Sequence, residues 1–361
     1  MTAHMTPWKV TGNTPVAAIL LLAVLYTGAS SMRSQARTAG FDMAPKMRLS
    51  DYGFFTGDLS ALHPAPRVFA YEVNAPLFSD YAEKARFIFL PEGEKMTCND
   101  SLSLDFPNGS VLIKNFFYFH DAEHPENGRR ILETRLLIKD EKGWKALEYI
   151  WNDEQTDAVL EVAGASFPVQ WTDVSGKKRS IQYIAPNLNQ CKGCHSYDGR
   201  FIPLGATIRQ LNQYPAAGNQ LLSWQESGLI DLPSGFDVSS APRLADYRQA
   251  SPGNIDDRAR AYLDANCGHC HNPHGPANTS GMFLNITERN PERLGVGKAP
   301  VAAGRGSGDR KFGIVPGKPN ESILLYRMES DDPGIRMPEL GRQLPHQEGL
   351  DLIKTWIKEM K

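Results

Sequence analysis

The chain has 361 residues, 41% hydrophobic and 22% charged, with a formal net charge of −2. That length leaves room for two or three domains with real cores, and the near-neutral balance excludes a nucleic-acid partner of the kind a basic surface recruits. Thirty-one glycines and twenty-five prolines call for many turns and long ordered loops.

Residues 1–15 are polar, with Lys9 as the clear positive charge. The run Val16 to Tyr26 that follows is apolar, too short to span a bilayer comfortably and suited to a signal-peptide core. Thr27 to Ser31 supply small residues for cleavage. Residues 1–31 are therefore expected to be a signal peptide, with an uncleaved anchor as the other reading. Either way the rest of the chain is expected to be exported, to the bacterial periplasm.

Residues 48–185 read as a β-rich domain. Strand-like runs at 86–90, 111–119, 131–138, 144–151 and 179–184 are rich in β-branched and aromatic residues and separated by turn clusters. An all-β sandwich or barrel is expected. Its histidines His63, His120 and His124 read as loop residues more readily than as ligands. The acidic cluster Asn152 to Asp157 lacks the glycine-broken spacing of a calcium loop and reads as a solvated turn. Gly295 to Ala299 lacks the frame of a phosphate loop.

The stretch 186–250 holds Cys191-Lys192-Gly193-Cys194-His195, followed by expected helices at 206–212 and 220–225 and a Ser-, Pro- and Gly-rich linker from 234 to 252. In the C-terminal domain, 251–361, Asn254 caps a helix with Ile255, Ala259, Tyr262 and Leu263 on one face. That helix delivers Cys267-Gly268-His269-Cys270-His271. A last helical stripe, Leu350, Ile353, Trp356, Ile357 and Met360, is expected to pack across it.

C-x-x-C-H is the attachment signature of a c-type haem: the thiols add across the vinyl groups and the adjacent histidine is the proximal iron ligand. Four of the five cysteines lie in the two signatures; Cys98 is left over. A tetrahedral zinc site is disfavoured because the pairs are far apart and each carries a histidine. A redox dithiol is disfavoured because no thioredoxin-like pattern surrounds either pair. Two covalently bound haem c groups are therefore expected, attached at Cys191, Cys194, Cys267 and Cys270, with His195 and His271 as iron ligands. Met337, before Pro338, is the expected sulfur ligand opposite His271, preferred over Met282 and Met328. A His/Met pair raises the reduction potential and suits an electron carrier. Between His195 and Cys267 there is no histidine or methionine. The sixth ligand of the first iron must come from elsewhere (His63, Met96, His120, His124, Met282, His274 or a less usual group) or be missing.

The stretches Leu49 to Phe55, Pro76 to Ala82, Glu133 to Leu137, Trp151 to Ala158, Pro186 to His195 and Ala265 to Gly281 resemble a bacterial family of periplasmic dihaem c-type cytochromes, known as conserved hypothetical proteins. The resemblance covers residues 48 to 358 and implies His195 and His271 as proximal ligands; Met337 carries over less directly. The C-terminal part, Pro316 to Pro319 with Ser322, Leu324 and Met337-Pro338, is similar to cytochrome c modules of other bacterial oxidoreductases. The fold class expected is α+β and multidomain: a sandwich or barrel-like β domain followed by α-helical cytochrome c regions. The leading functional expectation is single-electron transfer between the two haems and an external redox protein or dehydrogenase. A dihaem enzyme of peroxidase or oxidase type, reactive at the first haem, and a haem-based small-ligand module are the alternatives.

Overall fold

The strand-like runs form one six-stranded antiparallel sheet. Its strands are β1 (Val68–Ala70), β2 (Glu83–Phe89), β3 (Val111–Phe119), β4 (Arg129–Asp140), β5 (Gly143–Trp151) and β6 (Ala158–Leu160), each paired with the next in chain order. The computed structural model describes residues 42, 44–99, 101–214, 218–249 and 254–361. The expected signal segment, 1–31, lies outside them. Residues Asp42–Lys361 form one compact unit with an α+β architecture. The sandwich or barrel expected from the sequence takes the form of an open meander, because β1 and β6 stand at opposite edges. A two-stranded hairpin, β7 (Ala165–Thr172) and β8 (Lys178–Ala185), packs over it.

Both faces of the sheet are covered, so its strands read as apolar runs and not as strict alternation. On one face Phe87, Phe89 and Tyr149 meet rings from the N-terminal segment: Phe55 against Phe87 at 5.1 Å, Phe54 against Phe89 at 5.7 Å and Tyr52 against Tyr149 at 6.0 Å. The acidic cluster helps fasten that segment. Asp157 accepts from the Ser50 hydroxyl at 2.6 Å and from its backbone N–H at 3.2 Å, which makes the turn a latch as well as a solvated loop.

The opposite face is covered at its two ends. At one, Ile88 and Leu112 pack with Ile208, Leu211, Leu221 and Trp224 from the short helices α2 (Ile208–Leu211) and α3 (Gln220–Glu226). At the other, Phe116 and Tyr118 pack with Val169, Trp171, Ile181 and Tyr183 of the hairpin. Between these apolar ends the face is charged. The Ser- and Pro-rich stretch after 234, which reads as a linker, is instead packed: Val238, Leu244 and Tyr247 are buried.

Helix α4 (Ile255–Leu263) begins at Asn254, whose side chain accepts from the Asp257 N–H at 2.8 Å, and Ala259, Tyr262 and Leu263 are buried as the 3.6-residue period requires. Helix α6 (Gln347–Glu359) crosses it through Leu350, Ile353, Trp356 and Ile357, and the Trp356 ring N–H donates to Asp256 at 2.7 Å. Gly349 lies against the Tyr262 ring, where any larger residue would hold the helices apart. Helix α5 (Ile323–Glu329) adds Leu324, Leu325 and Met328 to the same core. Among the described residues no helix is long and apolar enough to cross a membrane.

Candidate functional site

Strand β8 leads through Pro186 directly into α1 (Leu188–His195). Asn187 and Gln190 form a reciprocal cap: the Asn187 side chain accepts from the Gln190 N–H at 3.0 Å, and the Gln190 side chain from the Asn187 N–H at 2.9 Å. On the helix, Cys191 is followed by Cys194 and His195 at i+3 and i+4, so all three share one face. The chain then turns at Asp198 and Gly199 and returns antiparallel, Ser196 opposite Phe201. This brings the Ile202 carbonyl to 2.7 Å from His195 Nδ1 and lays the Phe201 ring on the imidazole at 4.9 Å. With Nδ1–H donating to the carbonyl, Nε2 is the nitrogen left with its lone pair. Burial pushes the His195 imidazole down to about 4, and the charges of Lys114 and Arg135 push the same way. The ring is neutral, as a metal ligand must be.

The second motif repeats the device on different scaffolding. Helix α4 runs into a π-helical turn, Asp264–Gly268, that carries Cys267. Gly268 fits closely there: a Cβ would stand 3.1 Å from the Asn285 Cα, so a larger residue would press on backbone. The Cys267 carbonyl accepts from the N–H groups of Cys270 at 3.1 Å and His271 at 2.9 Å, which closes the loop. His271 Nδ1 lies 3.2 Å from the Met282 carbonyl, and burial lowers this imidazole too. Both histidines are thus tied at Nδ1 to a backbone carbonyl seven and eleven residues downstream.

The two motifs meet. The Cys270 thiol donates to the Gly193 carbonyl at 3.6 Å, and the donor atoms of Cys194, His269 and Cys270 lie within 4.8 Å of one another. The contact with Cys270 lowers the Cys194 thiol, and the same contact raises that of Cys270. Burial raises both Cys191, to about 11, and Cys267, to about 12. The His269 Nδ1 is buried without a hydrogen-bond partner among the described residues. Sequence spacing gives no sign of this contact, since Gly193 and Cys270 are 77 positions apart.

A cavity of about 1450 Å³ is lined by Cys191, Cys194, His195, Cys267 and Met337. It exceeds the roughly 300–1,000 Å³ typical of a small-ligand site. Met337 is held through its backbone: its N–H donates to the Arg327 carbonyl at 2.9 Å, and its carbonyl accepts from Arg342 Nε at 3.1 Å and Nη2 at 2.9 Å. Buried Arg342 also donates to the carbonyls of Met328 and Ser330, fixing the whole loop. Of the methionines ranked below it, Met282 offers its carbonyl to His271 Nδ1 and rests its side chain against Gly295. Met328 also lines the cavity but is packed in the α4–α6 core.

The candidate sixth ligands for the first centre are scattered. Met96 is buried in the core against α2 and α3. His63 and His120 are exposed away from the cavity lining, and exposed His124 faces Glu126 at 3.1 Å. His274 reaches the cavity but faces Asp198 at 3.0 Å.

Pro76 to Ala82 carried no role in the sequence reading, and it is the brace of the site. The Phe78 N–H donates to the Asn266 side chain at 2.8 Å, and the Phe78 ring stacks on His346 at 4.2 Å. Asp80 accepts from the N–H groups of Gln343 and Leu344. Asp80 and Tyr81 both have positive φ, 53° and 66°, a conformation uncommon outside glycine. A polar residue bent into that conformation to meet partners far along the chain leaves no local signal.

Compared with known proteins, the chain matches no family model, no curated protein and no solved structure.

Proposed function

We propose that the chain is a periplasmic dihaem c-type cytochrome that passes single electrons between two covalently held haems and an external redox protein or dehydrogenase. The observation that carries this reading is the paired use of one device. In each motif the cysteines stand beside a neutral histidine whose Nδ1 is tied to a carbonyl, which leaves Nε2 for iron. The donor set suits the group: four thiols for attachment, two imidazoles and one thioether at Met337, with a cavity that reaches Cys191, Cys194, His195, Cys267 and Met337 while Cys270 and His271 stand outside its lining. Haem, when bound, supplies reversible one-electron exchange at iron. The residues of this chain do the rest. Cys191, Cys194, Cys267 and Cys270 hold it, the carbonyls of Ile202 and Met282 orient His195 and His271, and Arg342 fixes the Met337 loop.

One observation favours a different chemistry. Cys194, His269 and Cys270 converge as a thiolate–imidazole group suited to zinc. Expression with a cytochrome maturation system, followed by intact mass, haem staining of a denaturing gel and metal analysis, separates the readings. Two haems per chain are expected. A haem-free chain with one zinc would replace the cytochrome reading by the metal site.

A further inference from the structure

The charged middle of the sheet is a single row. Arg86 on β2 is directly opposite Lys114 on β3, Lys114 is opposite Arg135 on β4, and Arg135 is opposite Glu148 on β5. All four line the cavity that holds the first motif. Directly opposed side chains in a sheet stand about 5 Å apart, and like charges there are destabilising. Three cations side by side, between two apolar patches, therefore cost stability that the sheet could avoid by continuing its apolar pattern.

Few anions offset them. Arg86 is 8% exposed and reaches Glu72 only at 3.9 Å. Arg135 pairs with Glu133, which also accepts from Tyr183 at 2.6 Å, while the Arg135 Nε is buried without a partner. Lys114 makes no hydrogen bond or ion pair among the described residues; its ammonium lies 4.8 Å from the Phe116 ring centroid. Burial, then the charges of Arg86, Lys84 and Arg135, depress it strongly. Glu148 is 6% exposed, and burial, then its hydrogen bond to Glu133, raises it, so it adds little negative charge. Buried charge of this density is stable when an anion completes it.

We infer that Arg86, Lys114 and Arg135 form a carboxylate-binding row beside the first motif, taking either the propionates of the first haem or a small free carboxylate. The planar guanidinium groups of Arg86 and Arg135 suit two carboxylate oxygens each, and Lys114 between them adds an ammonium that an arriving anion holds protonated. The inference rests on the dihaem reading.

The test uses the haem-loaded full chain and the variants Lys114→Met and Lys114→Arg. Intact mass is read first: a chain without haem would overturn the dihaem reading and this inference with it. With two haems attached, Lys114→Met is expected to lower the midpoint potential of the first haem only, and Lys114→Arg to restore it. The source of the carboxylate is read in two further arms. A shift of the propionate bending band in the resonance Raman spectrum of Lys114→Met assigns the row to haem propionates. An acetate-induced change in the native absorption spectrum, weakened at least tenfold in affinity in Lys114→Met, assigns it to a free carboxylate. If the propionate bands stay in place and acetate is without effect on both proteins, the row binds no carboxylate and the inference fails, whatever the potential does.

Discussion

The Asp80 carboxylate accepts the backbone N–H of Leu344 at 2.7 Å, and the same oxygen accepts that of Gln343 at 2.6 Å. The connection between β1 and β2 therefore holds the loop that follows Met337. Tyr118 fixes the other side of Asp80, its hydroxyl donating to the Asp80 carbonyl at 2.6 Å. Asp80→Ala should remove two charge-assisted bonds and cost about 2–3 kcal/mol. Asp80→Asn keeps an acceptor at the same place and should cost less than half of that. Thermal and denaturant unfolding of both variants checks the order; equal losses would mean the charge, not the bonding, holds the loop.

On the dihaem reading, Met337→Ala should take away the sulfur ligand proposed opposite His271 and lower the potential of the second haem, since a Met/His pair raises it. The weak thioether band at the red end of the oxidised spectrum should vanish, with the second haem still attached. Persistence of that band in the variant would pass the role to Met328, which also lines the cavity.

His346 links stability to pH. Burial pushes its imidazole from the ordinary 6.5 down to about 4, although Glu348 pulls the other way. The fold accepts the neutral ring, stacked on Phe78. Its contribution is therefore complete above about pH 6.5 and is lost as pH falls toward 4, a total of roughly 3 kcal/mol. His346→Phe should flatten that part of the stability–pH curve. Unfolding midpoints measured between pH 4 and 7.5 give the answer, and an unchanged slope would assign the acid sensitivity to another group.

Much of the frame was legible because it obeys local periodicity. The run 111–119 is strand β3, and the runs at 131–138, 144–151 and 179–184 fall inside β4, β5 and β8, each a little longer than expected. Strand β7 escaped notice because Pro168 interrupts it, which is tolerated in a hairpin strand at an edge. The α4 cap at Asn254 and the α6 stripe were readable for the same reason, as were the cysteines and histidines of both motifs. What could not be read was everything set by distant contacts. The meeting of Cys270 with Gly193, the brace at Phe78 and Asp80, and the charged row all depend on register between remote segments. Lys114 in its strand looks like an exposed polar break; only pairing with Arg86 and Arg135 reveals a row. The β-rich domain expected over residues 48–185 shares its core with α2 and α3, so point substitutions are better tests than deletion of the sheet.

The two motif glycines should respond differently to alanine. At Gly268 a Cβ would press on backbone, 3.1 Å from the Asn285 Cα and 3.2 Å from its nitrogen, and the loop cannot yield cheaply. Gly268→Ala should cost about 1–3 kcal/mol. At Gly193 the neighbour is the end of a flexible side chain, Leu340 Cδ1 at 3.2 Å. Alanine in the α1 helix also recovers up to about 1 kcal/mol of backbone entropy. Gly193→Ala should therefore be close to neutral. Paired melting curves decide, and a reversal of the order would show that α1 cannot shift against the Leu340 loop.

On the dihaem reading, the approach of the Cys270 sulfur to the Gly193 carbonyl, 3.6 Å away, would set an attachment cysteine of the second motif against the helix backbone that carries Cys191 and Cys194 of the first. The two attachment segments would then form one seam, and a partner docked beside either would stand close to both. Two centres of different potential along that seam would give a transferred electron a direction, from the lower to the higher, without a second encounter.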